Sequence, residues 1–336
     1  MMKAIAYQTP GVIDRHDALQ DITLDIPQAT GLLVIINAVS VNPVDTKLRR
    51  SVAPDTGEWR VLGFDAAGIV EAIGSEVQDF KPGDAVFYAG SIDRPGTNSE
   101  YHLVDERIVG RKPARISAAA AAALPLTAIT AWEMLFDRLE VTRPTPQGGD
   151  TILVIGGAGG VGSIALQLLQ TLTDLTIIAT ASRPETQTWV RDCGAHHVID
   201  HHQPIAPQVE ALGLGAPGFV FSTTQTHQHF ADIVELIAPQ GRFGLIDDPG
   251  ELSIKPLKRK SVSLHWEFMF TRSLFGTPDI AQQGKLLNEL AALVDAGRIR
   301  STLTEVAGTI NAATLRTVHA QIERGTTRGK IVLEGF

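Results

Sequence analysis

The segment 151–162 reads TILVIGGAGGVG and decides the fold that we predict for this chain. Its first five residues form an apolar run of strand length, and Gly157, Gly159 and Gly162 then satisfy the spacing G-x-G-x-x-G. Glycines at this spacing allow a tight turn in which backbone N–H groups approach a pyrophosphate, and the following helix offers its positive end to that anion. The required strand and helix flank the spacing here. We therefore expect a dinucleotide site, with a tight turn in another kind of α/β protein as the alternative.

From this segment onward, strands and helices alternate. The predicted strands are 151–155, 176–181, 197–200, 219–222, 243–247 and 262–266. The predicted helices are 161–172, 185–193, 206–212 and 230–238. Six strands joined by helical crossovers predict a doubly wound parallel sheet in an α/β protein.

The parts of the chain before and after this alternation differ from it. Short apolar runs near the start are separated by Gly, Pro and Asp, as in an antiparallel barrel or sandwich. The predicted elements of these flanking parts are strands 4–7, 32–36, 67–74, 85–88 and 330–333 and helices 117–123, 128–139, 280–296 and 313–323. The part after residue 266 is too short to be a domain, and we expect it to pack back on the first part.

Composition excludes several classes of protein. The chain has 336 residues, 44% hydrophobic and 20% charged, which suits about two domains with buried cores and excludes disorder. The formal net charge of −8 would repel a polyanion, so we expect no nucleic-acid partner. The single cysteine, Cys193, excludes an internal disulfide and a cysteine-rich zinc site, and suits a reducing cytosol.

No membrane segment is predicted either. The apolar run at the N-terminus is too short for a signal peptide. The longest stretch of low polarity, 116–129, is mostly alanine and carries Ser117, Pro125 and Thr127. It falls short of the ~20 apolar residues that a spanning helix needs. We expect a cytoplasmic protein without a membrane partner.

The residues after the second predicted strand indicate whether the cofactor is NAD or NADP. An NAD site places an acid there, which accepts hydrogen bonds from the ribose 2′-hydroxyl. Ser182 stands at that position, 20 residues after Gly162, and Arg183 follows it. A hydroxyl and a guanidinium suit a 2′-phosphate, which predicts NADPH. Each residue also has an alternative role. Ser182 could be a helix N-cap that forms a capping box with Glu185, and Arg183 could be an ordinary solvated charge.

These features together resemble a known family. The matching stretches are SVNPVDTK at 40–47, GFDAAG at 63–68, KPGD at 81–84, LPLTA at 124–128, the loop 156–162 and GKIVL at 329–333. In this order they resemble the medium-chain dehydrogenase/reductase superfamily, in its quinone-oxidoreductase-like branch, where relatives are often named zinc-type alcohol dehydrogenase-like proteins. The resemblance covers the whole chain.

The resemblance implies the domain organisation. It places a GroES-like, β-rich catalytic domain at 1–126 and 269–336, and an NADPH-binding Rossmann domain at 127–268, with the cofactor in the cleft between them. Relatives often form dimers, some by joining the edge strands of their Rossmann domains. A homodimer is therefore expected, with 262–266 as the candidate edge.

The chain departs from its zinc-dependent relatives at the metal ligands. Those relatives have a cysteine where Asn42 stands, a histidine where Phe64 stands, and a third ligand within 124–127, where this chain has none. The stretch 88–100 also lacks their four clustered cysteines. Phenylalanine has no donor atom, and asparagine is not among the cysteine, histidine and carboxylate ligands of a tetrahedral zinc site, so we predict no metal.

The histidines outside these motifs do not predict a metal site. The pairs at 196–197 and 201–202 are separated by a predicted strand that spans ~13 Å. We interpret these four, together with His227 and His229, as surface or loop residues. His201 is a possible exception, because in relatives an aromatic side chain just past the third strand lies by the adenosine phosphate.

The resemblance also implies catalytic candidates. Asn42 would lie near the nicotinamide, with an Asn-Pro turn as the alternative. Thr127 would place its hydroxyl against the cofactor, with a helix N-cap as the alternative. Asp45 would orient Lys47 or a water, or pair with a cation, and Asp65 is expected to be structural. Tyr88 and Tyr101 have the chemistry of a proton donor, but no geometric argument selects either.

The expected cofactor contacts combine the glycine loop, the strand ends and the tail. Ser222, Thr223, Ile246 and Asp247 end the fourth and fifth strands, at the usual rim of a doubly wound site. The expected contacts are Thr127, Gly157, Gly159, Gly160, Val161, Gly162, Ser182, Arg183, His201, Ser222, Thr223, Ile246, Asp247 and Lys330.

The function predicted from these residues is an oxidoreductase that moves hydride from NADPH to a quinone or an α,β-unsaturated carbonyl compound. Such acceptors are already electron-poor, so they need no Lewis-acid metal. The alternatives are a zinc-type alcohol dehydrogenase with unrecognised ligands and a non-catalytic NADPH-binding protein. The sequence does not identify the individual substrate or the proton donor.

Overall fold

The computed structural model describes residues 1–146 and 149–336. The chain forms two compact units: the first comprises Met1–Ile129 and Phe270–Phe336, and the second comprises Thr130–Met269. Residues 147 and 148 of the predicted loop 142–149 lie outside the described residues. The assignment of a catalytic role to one unit and a cofactor role to the other stays a prediction.

The described elements follow one another in a fixed order along the chain. The strands are β1 (Met2–Tyr7), β2 (Gln20–Leu24), β3 (Leu32–Ser40), β4 (Arg60–Val61), β5 (Ala66–Ile73), β6 (Ala85–Tyr88), β7 (Tyr101–Val104), β8 (Val109–Arg111), β9 (Thr151–Ile155), β10 (Thr176–Thr180), β11 (His197–Ile199), β12 (Phe219–Ser222), β13 (Arg242–Leu245), β14 (Ser263–Trp266), β15 (Leu303–Val306) and β16 (Lys330–Glu334). The α-helices are α1 (Pro43–Ser51), α2 (Ala118–Ala122), α3 (Pro125–Trp132), α4 (Gly160–Leu172), α5 (Pro184–Asp192), α6 (Ile205–Ala211), α7 (Thr226–Leu236), α8 (Thr271–Phe275), α9 (Gln282–Asp295) and α10 (Ala312–Glu323). Short 3₁₀ or π segments occur at Glu106–Ile108, Glu133–Arg138 and Lys255–Lys260.

The first unit is built on two sheets. A small sheet has the order β2-β1-β4, and a larger one has the order β15-β16-β3-β5-β6-β8, with β7 also pairing with β3. The long strand β3 is antiparallel to β5, β7 and β16. The prediction that the tail returns to the first part is confirmed, since β16 inserts between β15 and β3.

The second unit contains one six-stranded sheet in the order β11-β10-β9-β12-β13-β14. Every neighbouring pair is parallel, which confirms the predicted doubly wound sheet. All five residues of β9 are buried, as expected for a central strand covered on both faces. The strand order reverses direction at β9, so the carboxyl end of β9 is the switch point at which such sheets bind ligands.

The alternative that Ser182 is a helix N-cap and the predicted start of one helix are both wrong, for physical reasons. The N-cap of α5 is Arg183 rather than Ser182, and its partner is Thr186, whose hydroxyl accepts from the Arg183 amide at 3.2 Å. Pro184 takes the first helical position, which makes the preceding residue the cap. Helix α7 begins at Thr226, four residues before the predicted start, because the Asp247 carboxylate accepts from the Thr226 amide at 2.8 Å.

One helical stretch is longer than the sequence indicated. The predicted stretch 116–129 was expected to fall short of a membrane span, but the helical run Ala118–Arg138 has 21 residues and is long and apolar enough to cross a bilayer. Pro125 stands at the first position of α3, where its missing N–H breaks no helical bond. Within the protein 83% of the apolar window is buried, as in a core helix.

Candidate functional site

The bend 156–162 follows β9 in the second unit and is closed by its own backbone. Gly156 has φ +80°, a conformation that favours glycine. A Cβ at Gly162 would lie 2.3 Å from the Gly156 carbonyl oxygen and 2.7 Å from Gly157 Cα. A Cβ at Gly157 would meet Ala179 Cβ at 3.0 Å. Glycine at Gly162 is therefore required by the close passage of α4 against the bend.

The start of α4 has backbone donors that no carbonyl of the helix accepts. The N-cap, Gly159, has no side chain to accept from the first turn. The amides of Gly160, Val161 and Gly162 therefore have no helical acceptor, and they carry the positive end of a 13-residue helix. Backbone donors without a competing side chain are what a pyrophosphate requires. The residues of this bend fit the phosphates of a dinucleotide.

The end of β10 carries an ion pair. Arg183 Nε lies 2.9 Å from Glu185 Oε1, and their side chains are 40% and 57% exposed. Ser182 is half-buried beside them. The guanidinium predicted to receive a 2′-phosphate is thus already partly neutralised by an acid from the first turn of α5.

His201 lies just past the end of β11 and is half-buried. Its Nδ1 atom is buried and has no hydrogen-bond partner among the described residues. Its ring contacts those of His202 and His229, at centroid distances of 4.9 and 6.4 Å. Burial lowers the pKa of His201, and the nearby His202, His229 and Arg183 lower it further. The ring is therefore held in its neutral form.

The ends of β12 and β13 are tied together by hydrogen bonds. The Ser222 and Thr226 hydroxyls lie 2.8 Å apart, and the Asp247 carboxylate accepts from both the amide and the hydroxyl of Thr226. The Thr223 hydroxyl donates to the Ile155 carbonyl at 2.9 Å, beside the glycine bend. Ile246 is half-buried at the same edge. Ser222 is fully buried, so its hydroxyl serves the strand-to-helix turn.

In the first unit, four side chains form a buried group that we call the Asp65 cluster: Ser40, Asn42, Asp65 and Lys330. Asp65 Oδ2 accepts from Ser40 Oγ at 2.8 Å, from Asn42 Nδ2 at 2.7 Å and from Lys330 Nζ at 3.1 Å. Lys330 also donates to Asn42 Oδ1 and to the Val41 carbonyl. Burial raises the pKa of Asp65, while the Lys330 ammonium opposes that shift. Lys330 was expected to reach the cofactor, but its hydrogen bonds go into this cluster.

Asp45 and Asn42 together start α1. Asn42 is the N-cap, and its backbone N–H donates to Asp45 Oδ2 at 2.8 Å. The backbone N–H of Gly63 donates to Asp45 Oδ1 at 2.9 Å. Burial raises the pKa of Asp45 to about 7, against the lowering effect of these two amides and of Lys330. Asp45 is therefore a buried carboxyl that titrates near neutral pH.

Thr127 and the tyrosines have the following surroundings. Thr127 is buried in the first turn of α3, and its hydroxyl donates to the carbonyl of Leu124, the residue before the helix, at 3.1 Å, so Thr127 is not an N-cap. The Tyr88 hydroxyl lies 3.0 Å from His102 Nδ1, and burial raises the pKa of Tyr88 well above its ordinary value. Tyr101 is half-buried in β7. Tyr88 is thus held in its neutral form inside the first unit.

The residues at the expected ligand positions are engaged elsewhere. The Asn42 amide oxygen accepts from the Lys330 ammonium, and the Phe64 ring packs edge-on against Phe270 with centroids 5.3 Å apart. Within 1–146 and 149–336, no three His, Cys, Asp or Glu side chains gather as a metal site would require. Of the histidines predicted to lie on the surface or in loops, His229 is instead buried on α7.

Sequence reasoning missed the pairing of Asp65 with Lys330. The two residues are 265 positions apart, so no local pattern joins them. The sequence indicated only that Asp65 lies in the motif 63–68 and Lys330 in the motif 329–333.

Comparisons with known proteins agree with this architecture. The family model described as alcohol dehydrogenase GroES-like domain matches residues 28–114, and that described as zinc-binding dehydrogenase matches residues 193–333. A zinc-type alcohol dehydrogenase-like protein of Staphylococcus aureus (strain COL) is 39% identical, with 99% of each chain covered. The 2-methylene-furan-3-one reductase of Solanum lycopersicum is 27% identical, over 99% of this chain and 79% of that protein.

Solved structures show the same fold. A crystal structure from Rhizobium etli CFN 42, described as a zinc-dependent alcohol dehydrogenase protein, is 61% identical with a TM-score of 0.98, covering 100% of this chain and 98% of that one. A quinone oxidoreductase of Escherichia coli complexed with NADPH is 23% identical with a TM-score of 0.80, covering 99% of each chain, and shows the likeness of fold. The chain therefore belongs to the medium-chain dehydrogenase/reductase superfamily of oxidoreductases, among its zinc-type alcohol dehydrogenase-like proteins.

Proposed function

We propose that the protein is an NADPH-dependent reductase of quinones or α,β-unsaturated carbonyl compounds and that it works without zinc. The observation that carries this proposal is the bend 156–162, where the backbone leaves no room for a side chain at Gly162 and the first amides of α4 have no acceptor within the helix or on the N-cap side chain. The name of the Solanum relative supports the substrate class, because a 2-methylene-furan-3-one is an α,β-unsaturated ketone. The bound nicotinamide supplies the hydride.

The second unit would hold the cofactor. The amides of Gly160, Val161 and Gly162 would bind the pyrophosphate, and Ser182 with Arg183 would bind the 2′-phosphate. The remaining contacts in this unit, at Gly157, Gly159, His201, Ser222, Thr223, Ile246 and Asp247, stay predictions. Since Ser222 is buried, its contact would be through the backbone.

Residues of the first unit support the proposal that the reaction needs no zinc. Asn42 and Phe64 occupy the positions of two metal ligands in the zinc-dependent relatives that the chain resembles, and neither fits the coordination of zinc. The Asn42 oxygen is instead bonded to an ammonium group. One amide hydrogen of Asn42 is left without an acceptor among the described residues. We propose that this hydrogen, with the Thr127 hydroxyl, serves the substrate or the nicotinamide carboxamide, and that Asp45 maintains the start of α1.

Turnover tests the reaction directly. Purified protein is mixed with NADPH and a panel of 1,4-quinones and 2-alkenals, and the loss of nicotinamide absorbance is followed. We expect turnover that a zinc chelator does not change, and less than one equivalent of zinc by elemental analysis. Tight NADPH binding without turnover across the panel would favour the non-catalytic alternative, and stoichiometric zinc would favour the alcohol dehydrogenase.

Arg183→Ala tests the cofactor assignment. Loss of charge-assisted hydrogen bonds to the 2′-phosphate should weaken NADPH binding by ~10- to 100-fold, with little change for NADH. Glu185→Gln should have the opposite effect on NADPH, because it removes the acid that lies 2.9 Å from Arg183. Arg191→Ala, an exposed arginine on the same helix, is the matched control. Equal losses for both dinucleotides in Arg183→Ala would contradict the 2′-phosphate assignment.

We propose in addition that the protein is a cytoplasmic homodimer joined along β14. This strand is at the edge of the six-stranded sheet, and Trp266 on it is 53% exposed. An unpaired edge with an exposed aromatic side chain is open to pairing with a second copy.

A further inference from the structure

Lys330 and Asp65 form an ion pair with almost no access to water. Lys330 Nζ lies 3.1 Å from Asp65 Oδ2, and the side chains are 4% and 0% exposed. The ammonium group uses all three of its N–H donors, on Asp65, Asn42 and the Val41 carbonyl. Buried ion pairs add little stability compared with well-packed apolar residues. Stability alone therefore does not account for this pair.

The pair fixes the direction in which the Asn42 amide faces. The amide oxygen accepts from Lys330, and Nδ2 donates to Asp65 at 2.7 Å. Turning the amide by half a revolution would place its N–H₂ against the ammonium and its oxygen against the carboxylate, and both contacts are repulsive. The two charges therefore permit one orientation.

The same carboxylate also anchors the start of α3. Asp65 Oδ1 accepts from the Leu126 amide at 2.8 Å. Leu126 is in the first turn of α3, where an amide has no acceptor within the helix. Thr127 is the next residue, so the position of its hydroxyl depends on the contact between Asp65 and Leu126.

We propose that Lys330 is a positioning residue, an internal cation that holds the Asn42 side-chain amide directly and, through Asp65, fixes the start of α3. The proposal rests on the proposed function, in which Asn42 and Thr127 serve hydride transfer. The proposal replaces the expected contact between Lys330 and the cofactor, because all three N–H donors of Lys330 are used within the cluster and on the Val41 carbonyl.

The test compares a single with a double substitution. Lys330→Met removes the charge and keeps most of the aliphatic side chain. We expect kcat to fall by ~100-fold, the effect of displacing a reacting group by about 1 Å. Kd for NADPH should be nearly unchanged. Lys330→Met leaves an unpaired buried carboxylate, so its Tm should fall. Adding Asp65→Asn removes that carboxylate and should restore Tm. However, kcat should stay low, because the side-chain amides of Asn42 and the new asparagine at position 65 can pair in either orientation. Recovery of kcat together with Tm would overturn the proposal.

A second measurement does not depend on turnover. Amide hydrogen exchange at Leu126 should become faster in Lys330→Met, whereas exchange in β9 should not change. Lys285→Met, at an exposed position of α9 in the same unit, is the control and should alter neither. If the wild-type protein reduces no substrate, the proposed function fails, and unchanged exchange at Leu126 in Lys330→Met would still overturn the positioning role.

Discussion

Asp45 is a buried carboxyl that titrates in an unusual range. Its pKa is about 7 in the folded protein, against an ordinary value of 3.8, chiefly because burial disfavours the charged form. Between these two values the folded protein keeps a proton that the unfolded chain has lost. The contribution of Asp45 to stability is therefore complete below pH 3.8 and is lost as the pH rises through about 7.

The corresponding prediction concerns Asp45→Asn. The free energy of unfolding of the wild type, relative to this variant, should decrease by about 1 kcal/mol per pH unit between pH 5 and pH 7. Urea denaturation at several pH values measures the difference. The comparison with the variant is needed because burial lowers the pKa of His102 to about 4 and that of His319 to about 3, which makes stability rise with pH below their ordinary value of 6.5. A constant difference would contradict the raised pKa, and Asp14→Asn, at an exposed carboxyl, is the control.

Among the elements, the bend between β9 and α4 contains two glycines, Gly159 and Gly162, that differ in how much room the backbone leaves for a side chain. A methyl group at Gly162 would meet backbone atoms at 2.3 and 2.7 Å, whereas at Gly159 it would meet only the Gly156 oxygen at 3.5 Å, an ordinary contact. Gly162→Ala should therefore lower the free energy of unfolding by ~1–3 kcal/mol or more, through overpacking. Gly159→Ala, with φ −70°, should leave it nearly unchanged. Thermal unfolding of the two variants measures this, and similar Tm values would contradict the packing argument.

The elements also differ in how well the local sequence predicts them. The strands of the second unit were predictable because buried parallel strands such as β9 are continuously apolar. Strand β2 was missed, because its exposed and half-buried positions alternate and its sequence QDITL is largely polar. Helix α7 was misplaced because the carboxylate that accepts from the Thr226 amide belongs to Asp247, a residue that follows the distant strand β13. The glycine bend was predictable from its spacing together with the apolar strand before it and the helix after it. The Asp65 cluster instead depends on how β16 pairs with β3, far away in the sequence.

For the whole molecule, the homodimer is the prediction that depends on an exposed edge. Trp266→Glu would place a like charge on each copy beside the proposed junction of the two β14 strands, so we expect the variant to be monomeric at concentrations where the wild type is dimeric. Sedimentation velocity measures the assembly. Ile254→Glu, which changes another exposed apolar residue of the same unit, should leave the dimer intact. A monomeric wild type would contradict the proposal.

The position of β16 has a consequence for biosynthesis. This strand lies between β15 and β3, yet it follows the whole second unit in the chain. While a ribosome is still translating, the nascent chain exposes the open flank of β3, and the Asp65 carboxylate lacks its ammonium partner. The second unit has all its strands as soon as Met269 emerges, so it can fold co-translationally, whereas the first must wait for long-range closure. Protease pulses on stalled nascent chains should therefore find the second unit protected before the first.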